Sequence, residues 1–181
     1  MFCYTQEMTV RYVEMKEAIY DTISKRIRES FPEACIVWIE ENENIDLYSK
    51  YENRKKEIAK VASVNEVQWF HGTREENITK IAIEGFDPAF NKTSAYGKGT
   101  YFAKNASYSN SYMAPNAQGI SFMFLCDVLM GKPCMGSPQL KIETDLYHSA
   151  IDNFHSPSIL VTPFKDAAYP KYIVAFHKNA T

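Results

Sequence analysis

No glycine occurs before residue 72: all seven lie at or after Gly72, as do seven of the eight prolines. Glycine frees the backbone and proline fixes it, so a front half with one proline can hold long regular elements, while the remainder must turn often. In that front half Met8, Tyr12, Met15, Ile19, Ile23 and Ile27 recur at spacings of four, three, four, four and four. The spacing predicts one amphipathic helix from Met8 to Ser30, closed by Pro32. Ala34 to Ile39 is short, apolar and β-branched, which predicts a buried strand. Asn44 to Lys60 reads as a second helix, with Arg54-Lys55-Lys56 on its solvated face; three residues make a weak nuclear-import patch. Nothing before residue 65 carries chemistry.

The punctuated remainder predicts a strand at Val67–His71, then a helix from Glu75 to Glu84 with Ile78, Ile81 and Ile83 inward and Gly85 as its cap. Asp87 to Tyr96 is a polar loop, and Gly97-Lys98-Gly99 leads into a strand at Thr100–Ala103. A short helix from Asn105 to Tyr112 and an apolar strand from Ile120 to Met130 follow. Gly131 to Leu146 reads as a loop, and Ser158–Thr162 and Tyr172–Phe176 as further strands. Helices first and strands after give an α+β architecture around a mostly antiparallel sheet.

At 181 residues the chain is one domain by length. Its net charge of −2 offers no basic excess for a dedicated nucleic-acid binder. No apolar run reaches the roughly 18 residues of a membrane span, and Met1-Phe2-Cys3 does not begin a signal peptide. Cys3, Cys35, Cys126 and Cys134 form no C-x-x-C pair, which argues against a disulfide framework or zinc site and for a reducing, intracellular setting.

Gly97-Lys98-Gly99-Thr100 is not a phosphate loop, because Lys98 precedes Gly99 and the segment enters a strand rather than a helix. His71, His148, His155 and His177 lack H-E-x-x-H spacing, which argues against a zinc hydrolase. His71 stands apart because it ends a strand next to Gly72, where backbone can approach a ligand closely. Tyr96, Tyr101, Tyr108 and Tyr112 fall within seventeen residues and are interleaved with Gly97, Gly99, Ala103, Ala106, Ser107 and Ser109. Such a cluster is usually core; beside small residues, it also makes a slot for a flat ring bearing a carboxamide.

His71-Gly72-Thr73, Asn77, Gly85-Phe86, Tyr96 to Ala103, Ser107-Tyr108-Ser109 and Tyr112 closely resemble the catalytic domain of the poly(ADP-ribose) polymerase superfamily. Pro157 to Val161 followed by Tyr169 to Val174 looks like its terminal strand pair, and the opening helix, strand and second helix are similar too. The resemblance implies an ADP-ribosyltransferase fold with a mostly antiparallel, split sheet and N-terminal helices packed on it. It makes residues 1–181 one catalytic domain, 1–64 buttressing a core of 65–181, without a helical regulatory domain.

By the same resemblance the co-substrate is NAD+ and no metal is needed. His71 would bond a ribose hydroxyl. The Gly72 backbone and Ser109 hydroxyl would hold the nicotinamide carboxamide, with Tyr112 stacked on one face of that ring and Tyr101 on the other. Thr73, Tyr96 and Ala103 complete the implied binding set. Asp87 to Tyr96 corresponds to the donor-site loop near adenosine, and Gly131 to Leu146 to an acceptor-side loop. The third triad position, a Glu in polymerising members, falls on Ile159 in a His71, Tyr101, Ile159 triad. Ile cannot activate an incoming ribose hydroxyl, so the resemblance implies transfer of one ADP-ribose to a protein side chain, this chain's own included, in cytoplasm or nucleus. An inactive NAD+-binding module on the same fold is the alternative; a nucleic-acid acceptor stays open but is disfavoured by the net charge.

Overall fold

The computed structural model describes residues 8–91, 95–109 and 112–178. Within them run β1 (Val10–Tyr12), α1 (Ala18–Ser30), β2 (Ala34–Asn42), α2 (Ile45–Val61), β3 (Glu66–Thr73) and α3 (Ile78–Glu84). Then come β4 (Thr100–Ala103), α4 (Ala106–Ser109), β5 (Ser121–Leu129), β6 (Pro133–Met135), β7 (Ser149–Ile151), β8 (Ile159–Thr162) and β9 (Ala168–Lys178). The nine described strands make one sheet in the order β1-β2-β9-β5-β3-β4-β8-β7-β6. It is mixed: β6 and β7 pair in parallel, and the other neighbours are antiparallel.

The central strand explains how the layers form. Along β5, Phe122, Phe124, Cys126 and Val128 enter one apolar cluster with Ile78 and Ala82 of α3, whereas Met123 and Leu125 enter another with Ile23 and Ile27 of α1. Successive strand residues point to opposite faces, so one strand feeds both layers and is apolar almost throughout. Full burial of each such side chain contributes about 1.5–3 kcal/mol. A third cluster joins Tyr101, Ala103, Ile159 and Val161 across β4 and β8, and a fourth seats Tyr51 and Ile58 of α2 on Leu129 and Tyr169.

Several local expectations are corrected. The segment predicted as the first half of a helix is strand β1, with Val10 opposite Asn42 and Tyr12 opposite Glu40. Pairing on the outer edge of β2 satisfies backbone groups that helical spacing alone would have left to a longer α1, and Met15, predicted inward, is 70% exposed. Arg11 pins the bend through Glu17 at 3.0 Å and Glu41 at 2.7 Å. Strand β2 is only partly buried, with Cys35 and Val37 facing out. Arg54 and Lys55 are half-buried ion-pair partners of Asp166 and Glu66, rather than a solvated face.

The helix from Glu75 opens as a single 3-10 turn before α3, and Gly85 at φ +80° caps it as expected. The loop from Gly131 contains β6, and β7 follows it; three-residue strands are too short to show alternation. The predicted Asn105–Tyr112 helix is α4 for four residues; positions 110 and 111, like 92–94 of the donor-site loop and Cys3, lie outside the described residues. Cys35, Cys126 and Cys134 are free.

Candidate functional site

The site begins where the sheet nearly parts. Among the described residues β3 and β4 share one register pair, Phe70 opposite Ala103. Beyond it His71, Gly72 and Thr73 stay in register with Phe124, Met123 and Phe122 of β5. Their other edge, no longer covered by β4, opens on a cavity of about 960 Å³. An uncovered strand edge presents backbone donors and acceptors, the groups that a carboxamide pairs with.

His71 bridges the gap. Its Nδ1 lies 2.8 Å from the Tyr101 carbonyl oxygen, which can only accept, so Nδ1 carries the proton and Nε2 keeps its lone pair. Burial lowers the His71 pKa, against the opposing pull of the carbonyl, so the ring is neutral at physiological pH. Edge-on packing with Phe86 at 4.9 Å, and Phe86 in turn on Phe102 at 5.1 Å, fixes the ring's tilt.

Tyr101 lines the cavity, and its hydroxyl is bonded within its own turn. Its hydroxyl donates to the Gly97 carbonyl at 2.7 Å and accepts from the Tyr96 amide at 3.0 Å, so it locks the turn that enters β4. Gly97 sits at φ +123°, a conformation that side-chain-bearing residues rarely adopt. Burial raises the Tyr101 pKa.

Gly72 proves necessary for a reason other than ligand approach. A Cβ there would lie 2.2 Å from the Ser109 carbonyl oxygen, so β3 and α4 can touch only because residue 72 has none. That contact places buried Ser109 beside the open edge. Tyr108 and Tyr112 lie 5.9 Å apart with a 42° tilt, both line the cavity and both remain about 40% exposed. Thr73 accepts from Asn77 Nδ2 at 3.1 Å through its hydroxyl oxygen.

Of the residues anticipated from sequence, His71, Gly72, Thr73, Tyr101, Ala103, Ser109 and Tyr112 line this one cavity. Tyr96 and Ile159 are not in its wall; both pack in the cluster behind Tyr101, with Ile159 opposite Ala103 and 3% exposed.

Lys80 and Lys165, which sequence reading missed, meet Asp87 and Phe90 of the donor-site loop on the other side of the cavity. Lys80 of α3 stands over the exposed Phe90 ring at 4.4 Å. Lys165 bonds Asp87 at 2.8 Å and, with the Ala89 amide, holds its carboxyl below the usual range. No local pattern pairs Asp87 with a lysine 78 residues on; Phe90, an aromatic in a polar loop, was the one legible cue.

The family model of the poly(ADP-ribose) polymerase catalytic domain matches residues 16–154 of the chain, a span that ends before Ile159. The chain is 34% identical over 173 residues to protein mono-ADP-ribosyltransferase PARP14 of Homo sapiens, covering 88% of this chain and 10% of that protein. It is 29% identical over 189 residues to protein mono-ADP-ribosyltransferase PARP11 of Mus musculus, covering 87% of this chain and 57% of that protein. A third relative, PARP12 of Homo sapiens, is 31% identical over 170 residues, covering 87% and 24%. The chain thus spans between a tenth and somewhat over half the length of these relatives.

Proposed function

This chain belongs to the poly(ADP-ribose) polymerase catalytic-domain family, and on that premise we propose that it transfers a single ADP-ribose from NAD+ to a protein side chain with release of nicotinamide. The observation that carries the reading is the open β3 edge at Gly72, set beside Ser109 and next to a neutral His71. A cavity of about 960 Å³ suits an extended dinucleotide.

In this reading the Gly72 backbone and Ser109 hydroxyl bond the nicotinamide carboxamide, and Tyr112 stacks on the ring. His71 accepts a ribose hydroxyl at Nε2, because Nδ1 is committed to Tyr101. The bond between ribose C1′ and the pyridinium nitrogen breaks, its electron pair passes to that nitrogen, and nicotinamide leaves neutral. An anionic acceptor, a carboxylate of Glu or Asp or a Cys thiolate, forms the new bond at C1′ without surrendering a proton. The protein supplies position and a held leaving group rather than a general base. Ile159, packed outside the cavity wall, brings no carboxylate into the cleft to deprotonate an incoming ribose hydroxyl, which supports single transfer.

No described helix is long and apolar enough to cross a membrane. The decisive experiment incubates the full chain with NAD+ and follows nicotinamide release together with intact mass. Release with increments of one ADP-ribose per modified residue supports the reading. Long polymer refutes the Ile159 argument, and NAD+ binding without release refutes the transferase.

A further inference from the structure

Between β7 and β8 the chain reverses over residues 152–158; Asn153 Oδ1 holds its tip, accepting from the His155 amide at 2.8 Å and the Ser156 amide at 3.2 Å, and Asp152 closes its base. Asp152 Oδ1 accepts from the Ser158 amide at 2.8 Å and the Ile159 amide at 2.9 Å, and Oδ2 accepts from the Ser158 hydroxyl at 2.6 Å. Its own amide donates to the Ile159 carbonyl at 3.3 Å. Burial opposes the charge on this half-buried carboxyl. The Ser158 hydroxyl and the two amides outweigh that and hold it below the ordinary carboxylate range. Bonds to an ionised acceptor are the strong kind, and three converge here.

What they hold lies next to the cleft. The Ser158 carbonyl accepts from the Lys104 amide at 2.9 Å, and Lys104 is the residue by which the chain leaves β4 for α4. Ile159, fixed by the same carboxylate, stands opposite Ala103. α4 carries Tyr108 and Ser109, and its first amide, Ala106, is held from behind by the Ser30 hydroxyl at 2.9 Å. The junction that aims Ser109 at the open edge therefore has two supports, Ser30 on α1 and Asp152 acting through Ser158.

We propose that Asp152 is a positioning residue for the nicotinamide end of the cleft, bracing the β4–α4 junction through Ser158 so that Tyr108 and Ser109 are set before the co-substrate arrives. The kinetic part of the proposal rests on the transferase reading. Loss of the brace releases the geometry of binding groups and leaves His71 and the leaving-group chemistry in place, so its mark falls on binding more than on turnover.

The test uses the full chain and the variants Asp152→Ala, Asp152→Asn and Ser158→Ala, with Tyr51→Phe as a comparison that removes a bond to Glu66 away from the cleft. The readouts are the Kd for 3-aminobenzamide, a nicotinamide mimic, KM and kcat for NAD+ by nicotinamide release, and hydrogen exchange of the Lys104 amide. Asp152→Ala is expected to raise Kd and KM about tenfold with a much smaller change in kcat, and to speed exchange at Lys104. Asp152→Asn, whose remaining carbonyl oxygen can accept both amides, is expected to recover most of the loss. An unchanged Kd and KM in Asp152→Ala overturns the proposal, as does an equal loss in Tyr51→Phe. Should Asp152→Ala fail to fold, Ser158→Ala removes one of the three bonds, and an unchanged Kd there overturns it too. A wild type that binds 3-aminobenzamide yet releases no nicotinamide sinks the transferase reading alone, because the Kd series still decides the brace; a wild type that binds nothing sinks both.

Discussion

Gly72→Ala adds one methyl group where the fold has no room for it. The new Cβ would lie 2.2 Å from the Ser109 carbonyl oxygen, 2.9 Å from its carbonyl carbon and 3.0 Å from its Cβ. Ordinary contact begins near 3.4 Å, so the two backbones must part by about 1 Å. β3 cannot supply the movement, because it is registered on β5 at every position from Glu66 to Thr73. α4 must move instead, dragging buried Ala106 and Ser109 out of their contacts. Overpacking of this kind costs about 1–3 kcal/mol, which lowers Tm by roughly 3–10 °C in a chain of this size. A misplacement of about 1 Å at a binding group costs on the order of 100-fold in kcat/KM. Thermal unfolding and nicotinamide release from NAD+, measured on the same preparation, report both quantities. A variant with Tm within 1 °C of the wild type and kcat/KM within about twofold would show that strand and helix do not abut here, and the reasoning would fall.

Tyr101→Phe leaves the Gly97 carbonyl and Tyr96 amide without their partner, and urea unfolding is expected to register a loss of about 1–3 kcal/mol. Ile159→Glu places a carboxyl among Tyr101, Ala103 and Val161, where desolvation raises its pKa; we expect a loss of roughly 2–5 kcal/mol and no polymer from labelled NAD+. Polymer on a gel would mean that side chain 159 does reach the cleft. His71 gives a pH signature: its folded pKa is depressed, so its contribution to stability is whole above the unfolded value of about 6.5 and is lost as pH falls toward the lowered folded value. Across most of that interval kcat/KM is expected to hold, falling only as pH passes through the lowered folded value and Nε2 takes a proton, while both stay flat from neutral pH upward. A wild-type profile that matches His71→Gln in urea midpoint across that range would refute the assignment.

Much of the site was written in short stretches of the chain. His71-Gly72-Thr73 at a strand end, the Gly97 turn into β4 and the Ser109–Tyr112 pair were all legible. Each answers a local demand: a strand edge, a left-handed turn, a run of small residues beside aromatics. The cap at Gly85 and the apolar run of β5 were legible for the same reason. Their conformations depend on side chains a few residues apart.

What tertiary structure decided involves partners far apart in sequence. The spacing from Met8 onward satisfied a helix, but the free edge of β2 recruited its first part as β1. Gly72 read as a place for a ligand, yet its missing Cβ makes room for Ser109, 37 positions later. Tyr101 read as a ring to stack and Ile159 as a member of the triad. In the fold, Tyr101 lines the cavity while its hydroxyl ties its own turn, and Ile159 packs outside the cavity wall. Nothing adjacent in sequence marked Asp152, whose purchase on Lys104 passes through Ser158 and across two strands. Sequence determined which groups could meet a dinucleotide, because residue type and local backbone preference are properties of short segments. Which of those groups face the cleft was settled by strand pairing and close packing, which act between segments that the chain order keeps apart.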